Sequence, residues 1–109
     1  MEITDQNVLE VSPLGGVSSN SLKVESDGQL ELIAKALSHI TKRRILYQIK
    51  EKGLDVSRIA ADLDMTEANI SAQIKKLEEA GLIECSYKAG QHGVRKISEL
   101  KYKKIIITF

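Results

Sequence analysis

Three observations predict a small α+β domain of three main helices followed by a β-hairpin. Between Asp55 and Gly81, a short run of helical periodicity meets a longer one at a tight turn. Two β-prone runs follow, Leu82 to Lys88 and Val94 to Leu100, and Gly90 and Gly93 punctuate the gap between them. Apolar residues three and four apart give a helix one buried stripe, and β-rich runs bounded by glycine give a hairpin.

The longer helix, residues 67–80, carries Ile70, Ile74 and Leu77 at i, i+4 and i+7, and Ala80 extends the stripe. At about 100° per residue, Ala68, Asn69, Ala72, Lys75 and Lys76 fall on the far side, with Gln73 at its edge. Thr66 is placed to cap this helix and Gly81 to end it. The outward face is small, polar and basic. Asn and Gln can bond an adenine edge bidentately, and a short residue such as Ala72 lets a helix come close or touch a thymine methyl. A solvated surface helix has the same amphipathicity, so this helix alone does not decide between the two.

The shorter helix in front of it shifts the balance. Asp55 is a plausible N-cap, Ile59, Ala60 and Leu63 face inward, and Asp64-Met65 turns the chain into Thr66. Ala60 and Ala61 allow a close crossing. A short helix, a turn of three to four residues and a longer helix is the spacing of a helix-turn-helix, and a hairpin directly after the second helix is a wing. The wing, residues 82–100, offers Lys88, His92, Arg95 and Lys96 to phosphates or a minor groove, with a mobile tip at AGQHG.

Upstream, a helical pattern begins near Gln29 with Asp27 as a possible cap, and Leu30, Ile33, Ala34 and Leu37 face inward. A second helix runs from Thr41, with Ile45, Leu46 and Ile49 inward, and stops at Gly53. Residues 1–27, which include the loop-like SPLGGVSSNS at 12–21, read as a partly flexible arm, and residues 28–109 as the winged helix-turn-helix domain.

The formal charge of +1 conceals an asymmetry: residues 1–31 carry −5 and residues 32–109 carry +6. The basic part is the part assigned to DNA. Lys42-Arg43-Arg44 stand at the start of the second helix, and a helix N-terminus near a duplex is suited to phosphate. Lys101, Lys103 and Lys104 read first as a solvated face. One cysteine excludes an intrachain disulfide, and no signal peptide or membrane span is evident, so a cytoplasmic location is expected. Cys85 reads as a buried, inert thiol. His39 reads as a helix-end residue, and His92 lacks a second metal ligand at usable spacing. No catalytic constellation or nucleotide loop is present, so neither an enzyme nor a cofactor is expected.

The C-terminal KKIIITF has four large apolar residues in its last five and would be an aggregation hazard if left bare. It needs a cover, either the Val8-Leu9-Val11 segment of the same chain or a second subunit.

With these pieces assembled, the chain resembles an ArsR-type winged-helix transcriptional regulator of the sort abundant in archaea. The resemblance rests on ALSHITKRRIL at 36–46, ISAQIKKLEEAGLIE at 70–84 and YKAGQHGVRKISELKY at 87–102, and spans about residues 28 to 109. Family members often carry Pro where Ile40 stands. Metal-sensing members use paired cysteines or ligands on a C-terminal helix, and with Cys85 alone and the sequence ending at Phe109 that role is not implied. The family habit of dimerising implies a homodimer.

The expected function is therefore sequence-specific binding of double-stranded DNA by a transcriptional regulator. The expected contacts are Thr66, Ala68, Asn69, Ser71, Ala72, Gln73, Lys75 and Lys76 on the recognition helix, the four wing residues, and Arg43. The rival reading is a winged helix that docks on protein and ignores DNA. A third is the DNA-binding part of a longer regulator.

Overall fold

The computed structural model describes residues 2–3, 8–11, 20–91 and 93–109. Strands β1 (Glu2–Ile3), β2 (Val8–Val11) and β3 (Ser21–Val24) precede helices α1 (Asp27–Ser38) and α2 (Ile40–Gln48). Strand β4 (Leu54–Asp55) leads into α3 (Val56–Leu63) and α4 (Glu67–Glu79), and β5 (Ile83–Gly90), β6 (Gly93–Leu100) and β7 (Lys104–Thr108) follow. The α+β winged class holds, with four helices among the described residues.

Helix α1 is capped by Ser26, whose hydroxyl accepts the Gln29 N–H at 3.2 Å, and not by Asp27. Asp27 occupies the first turn, where a carboxylate complements the helix dipole. The inward stripe is Leu30, Ile33, Ala36 and Leu37. Ala34, expected inward, is exposed because the stripe advances by three residues twice, from 30 to 33 to 36, and rotates past it. One extended residue, His39, separates α1 from α2.

Helix α2 buries Ile45 and ends at Gln48, five residues short of Gly53. Gly53 has a different task from stopping a helix: a Cβ there would lie 2.8 Å from Ile97 Cγ2, so the chain passes tightly under β6. Strand β4 then pairs with β6, and β6 with β5, all antiparallel. The β5–β6 ladder runs from Ile83↔Leu100 to Gly90↔Gly93, whose two glycines stand three apart in the sequence. The glycines are thus the last rung of the hairpin, and Gly93 at φ 107 supplies the turn's left-handed backbone.

In the second sheet β7 lies between β2, antiparallel, and β3, parallel. The apolar C-terminal strand therefore has both edges paired within one chain: the Val8–Val11 segment on one side, as one of the two expected covers, and Ser21–Val24 on the other. Ile105 and Ile107 join the core, which draws Ile33 and Ala36, Ile45 and Ile49, Ile59 and Ala60, and Ile70, Ile74, Leu77 and Ala80 from the helices. None of the buried residues among those described is aromatic, in line with the aliphatic core that the composition suggests.

Candidate nucleic-acid interface

Local chemistry sets the α3–α4 pair. Asp55 caps α3, its Oδ1 accepting the Arg58 N–H at 2.7 Å. The helix ends at Asp64, which sits in the left-handed region at φ 55, ψ 50. There the Asp64 N–H reaches Ala61 C=O and the Met65 N–H reaches Ala60 C=O at 2.9 Å. Such a closure usually falls to Gly, and Asp tolerates it at a cost. Thr66 caps α4 by accepting the Asn69 N–H at 3.2 Å, and Ser57 ties the two helix starts by donating to Glu67 at 2.7 Å. Helix α4 ends in a Schellman motif: the Gly81 N–H bonds Glu78 C=O at 2.9 Å and the Leu82 N–H bonds Leu77 C=O at 3.1 Å, with Gly81 at φ 78.

This frame fixes the outward face. Ile70, Ile74 and Leu77 are wholly buried, whereas Thr66, Ala68, Asn69, Ser71, Ala72, Lys75 and Lys76 are exposed. Gln73 is half-buried at the edge of that face: its Nε2 donates to Asn69 Oδ1 at 3.3 Å, and its Oε1 is buried without a partner.

The wing residues divide between the two faces of the hairpin. Directly opposed residues share a face, so Lys88 and Arg95 lie together on one, and Tyr87 and Lys96 on the other. Arg95 donates to Asp55 Oδ2 at 3.1 Å, which links the wing to the cap of α3. Lys96 Nζ approaches Glu78 Oε1 of α4 at 3.9 Å. His92 lies outside the described residues.

Arg43 is placed elsewhere. Its Nη1 donates to Leu37 C=O at 2.7 Å, where it spans the α1–α2 corner and borders a small cavity with Leu46, Tyr47, Leu82 and Tyr102. The three-residue basic cluster therefore splits, since Lys42 is buried while Arg43 and Arg44 are exposed.

Two exposed wing residues were not among those expected to contact DNA. Tyr87 (69% exposed) and Val94 (71%) stand on the hairpin face that begins at Ile83 and Cys85 in the core and runs past the body. Strict alternation from Ile83 outward would have picked them out. On the same face, Cys85 Sγ lies 3.5 Å from Ser98 Oγ. Burial pushes the thiol pKa up, and Glu78 adds to that against the opposing Ser98 contact and Lys96, so the reactive thiolate is disfavoured. Among the described residues no His, Cys, Asp and Glu cluster could hold a metal ion, and no helix is long and apolar enough to cross a membrane.

This geometry recurs in known proteins. The model of the family described as bacterial regulatory protein, arsR family, matches residues 40–84. The crystal structure of an ArsR family transcriptional regulator is 30% identical and superposes over 66% of this chain and 75% of its own, with a TM-score of 0.56. Mb0332 from Mycobacterium bovis, described as a homodimeric winged helix-turn-helix DNA-binding domain, is 24% identical over 72% of this chain and 74% of its own, with a TM-score of 0.61. HlyU from Vibrio cholerae, in its reduced form, is 19% identical over 67% of this chain and 73% of its own, with a TM-score of 0.58. At these identities the last two speak to the fold alone. No curated protein matches the sequence. With the family model lying across the helix-turn-helix and a 30% identical ArsR regulator sharing the fold, the chain belongs to the ArsR family.

Proposed function

We propose that the chain is a transcriptional regulator that binds double-stranded DNA, with α4 in the major groove and the β5–β6 wing along the backbone. The observation that carries this reading is the unbroken exposed face of α4. Ala68, Asn69, Ser71, Ala72, Lys75 and Lys76 point outward from a helix whose other side is locked by three fully buried aliphatics. A helix held that rigidly, with small residues between its amides and lysines, can enter a groove without rearranging. Asn69 and Gln73 read base edges. Thr66, Ser71, Lys75 and Lys76, with Lys88, His92 and Arg95 of the wing, hold phosphates or groove edges. Lys96, half-buried beside Glu78, and Arg43, tied to the α1–α2 corner, contribute at the margins, whereas the more exposed Arg95 can leave Asp55 for a phosphate.

A homodimer fits this role, because Mb0332 is described as homodimeric and a two-fold pair of recognition helices reads two half-sites one turn apart. The role is binding and not catalysis, and its setting is the cytoplasm.

Titration of preferred and unrelated duplexes at several salt concentrations tests the reading. The logarithm of affinity is expected to fall linearly with the logarithm of salt, with a slope of roughly −0.9 per phosphate neutralised, and more tightly bound sites should emerge from a genomic selection. A chain that binds no duplex even at low salt would be a protein-docking winged helix instead.

A further inference from the structure

Lys42 is a buried cation without a counter-ion. It keeps 3% of its surface, and among the described residues it joins none of the four ion pairs and none of the side-chain hydrogen bonds. Lysine is rarely buried unless paired, because losing its water disfavours the charge. Burial, with the nearby Lys76 charge, accordingly holds the Lys42 pKa below the usual lysine value of 10.5.

Lys42 lines a groove of about 340 Å³ between α1, the start of α2 and α4, with Lys35, His39, Lys76 and Glu79 also on its walls. Lys35 is occupied by Glu31 at 3.0 Å. Glu79 forms no ion pair with Lys42.

His39, the N-cap of α2, and Lys42 of its first turn set one wall of this groove at the start of that helix. Its first backbone bond is Arg43 N–H to His39 C=O at 3.1 Å, and the His39 side chain makes no capping bond. The amides of Ile40, Thr41 and Lys42 therefore have no acceptor in the helix itself. Lys42 is the third residue of this helix, and helical side chains lean back over the preceding turn. That lean carries its ammonium toward the open amides, and the helix dipole has the sign that favours an anion there.

We propose that this groove binds a phosphate-type oxyanion, with Lys42 Nζ and the first-turn amides of α2 as its donors and Lys76 as an outer cation. Two sources carry that chemistry: a small phosphorylated or inorganic anion acting on the regulator, and a phosphate of the duplex itself. The lining joins α2 to α4, so occupancy would bear on the recognition helix in either case.

Thermal unfolding in inorganic phosphate, against chloride at matched ionic strength, tests the free-anion source. The native chain should gain melting temperature saturably at low-millimolar phosphate. Lys42→Met, which keeps the stem and removes an unpaired charge, should fold with equal or higher stability in chloride. It should show only the weak, unsaturable rise that phosphate gives any protein. Duplex titration across salt tests the other source, where Lys42→Met should reduce the slope by about 1. A Lys42-dependent response in either arm supports the site and assigns its source. A native chain indifferent to phosphate whose salt slope is unchanged in Lys42→Met overturns the proposal, as does loss of native stability in Glu79→Gln without a phosphate response, which would make Glu79 the partner of Lys42.

Discussion

Gln73 and Arg95 are both held by the protein in ways that bear on DNA contact. Gln73 gives its amide N–H to Asn69 and leaves its own carbonyl oxygen buried and unpaired. An unpaired buried acceptor costs about 1–3 kcal/mol. A base edge that draws both amides outward relieves that cost while it offers two hydrogen bonds, so these two side chains are expected to move as a pair. Asn69→Ala and Gln73→Ala should each cost roughly 1–3 kcal/mol on a preferred duplex and relax preference at one base position, with little change on unrelated DNA. The double variant should lose less than the sum, since each single change already breaks the shared bond. Arg95 differs in kind: it bridges to Asp55, itself the cap of α3. The pair is exposed on the Arg95 side, so it contributes little to stability and yields to a phosphate. Arg95→Ala should weaken preferred and unrelated duplexes alike and lower the salt slope by about 1. An unchanged slope, or Asn69→Ala weakening both duplexes equally, would mean the two surfaces are assigned the wrong way round.

The angle between α3 and α4 depends on one residue that pays a backbone penalty. Asp64 closes α3 in the left-handed region, which disfavours a side chain by about 1–2 kcal/mol. Asp64→Gly should thus be neutral or stabilising, and Asp64→Val should destabilise by more than 1 kcal/mol, both read by chemical denaturation. A stable Val variant would show that this turn does not bear the strain. At the base of the wing, Gly53→Ala would press a methyl into Ile97 Cγ2 at 2.8 Å. It should cost about 1–3 kcal/mol and loosen β4 from β6. At this scale the sequence was legible wherever a local rule decides: Thr66 and Asp55 as caps, Gly81 as a stop, and the Ile70, Ile74, Leu77 stripe. It was less legible where tertiary packing decides. Gly53 looked like a helix stop because nothing local shows Ile97 lying over it. The hairpin looked three residues shorter at its tip because glycine reads as loop until two glycines are seen to face each other across the ladder. For the same reason the alternation that separates Arg95 from Lys96 was in the sequence, but their partners Asp55 and Glu78 were not.

Taken whole, the chain closes on itself, because β7 enters between strands that begin the sequence. The apolar tail predicted this need for a cover. It could not show that β3, on the far side of four helices in sequence, would supply the second edge in parallel, since such pairings have no local signal. With both edges of β7 filled, the case for a homodimer no longer rests on a bare strand. The proposed dimer turns instead on the apolar surface left over, of which Phe109 at 81% exposure stands at the end of that sheet. Deleting Ile105 to Phe109 would mix two effects, because Ile105 and Ile107 belong to the core. Phe109→Asp separates them. An exposed side chain contributes little to the fold of one chain, so the melting temperature measured at low concentration should stay within a degree or two. If two copies meet through this end of the sheet, the two-fold axis buries Phe109 twice. About 1.5 kcal/mol or more is then lost per copy, and the dimer dissociation constant should rise on the order of a hundredfold. Sedimentation at tens of micromolar, order of magnitude, reads both results against the monomer mass of 12.1 kDa. A native chain that sediments as a monomer removes the dimer from the mechanism. A Phe109→Asp variant that stays dimeric moves the interface to another face, while α4 and the wing keep their assignment, since neither depends on where the two copies join.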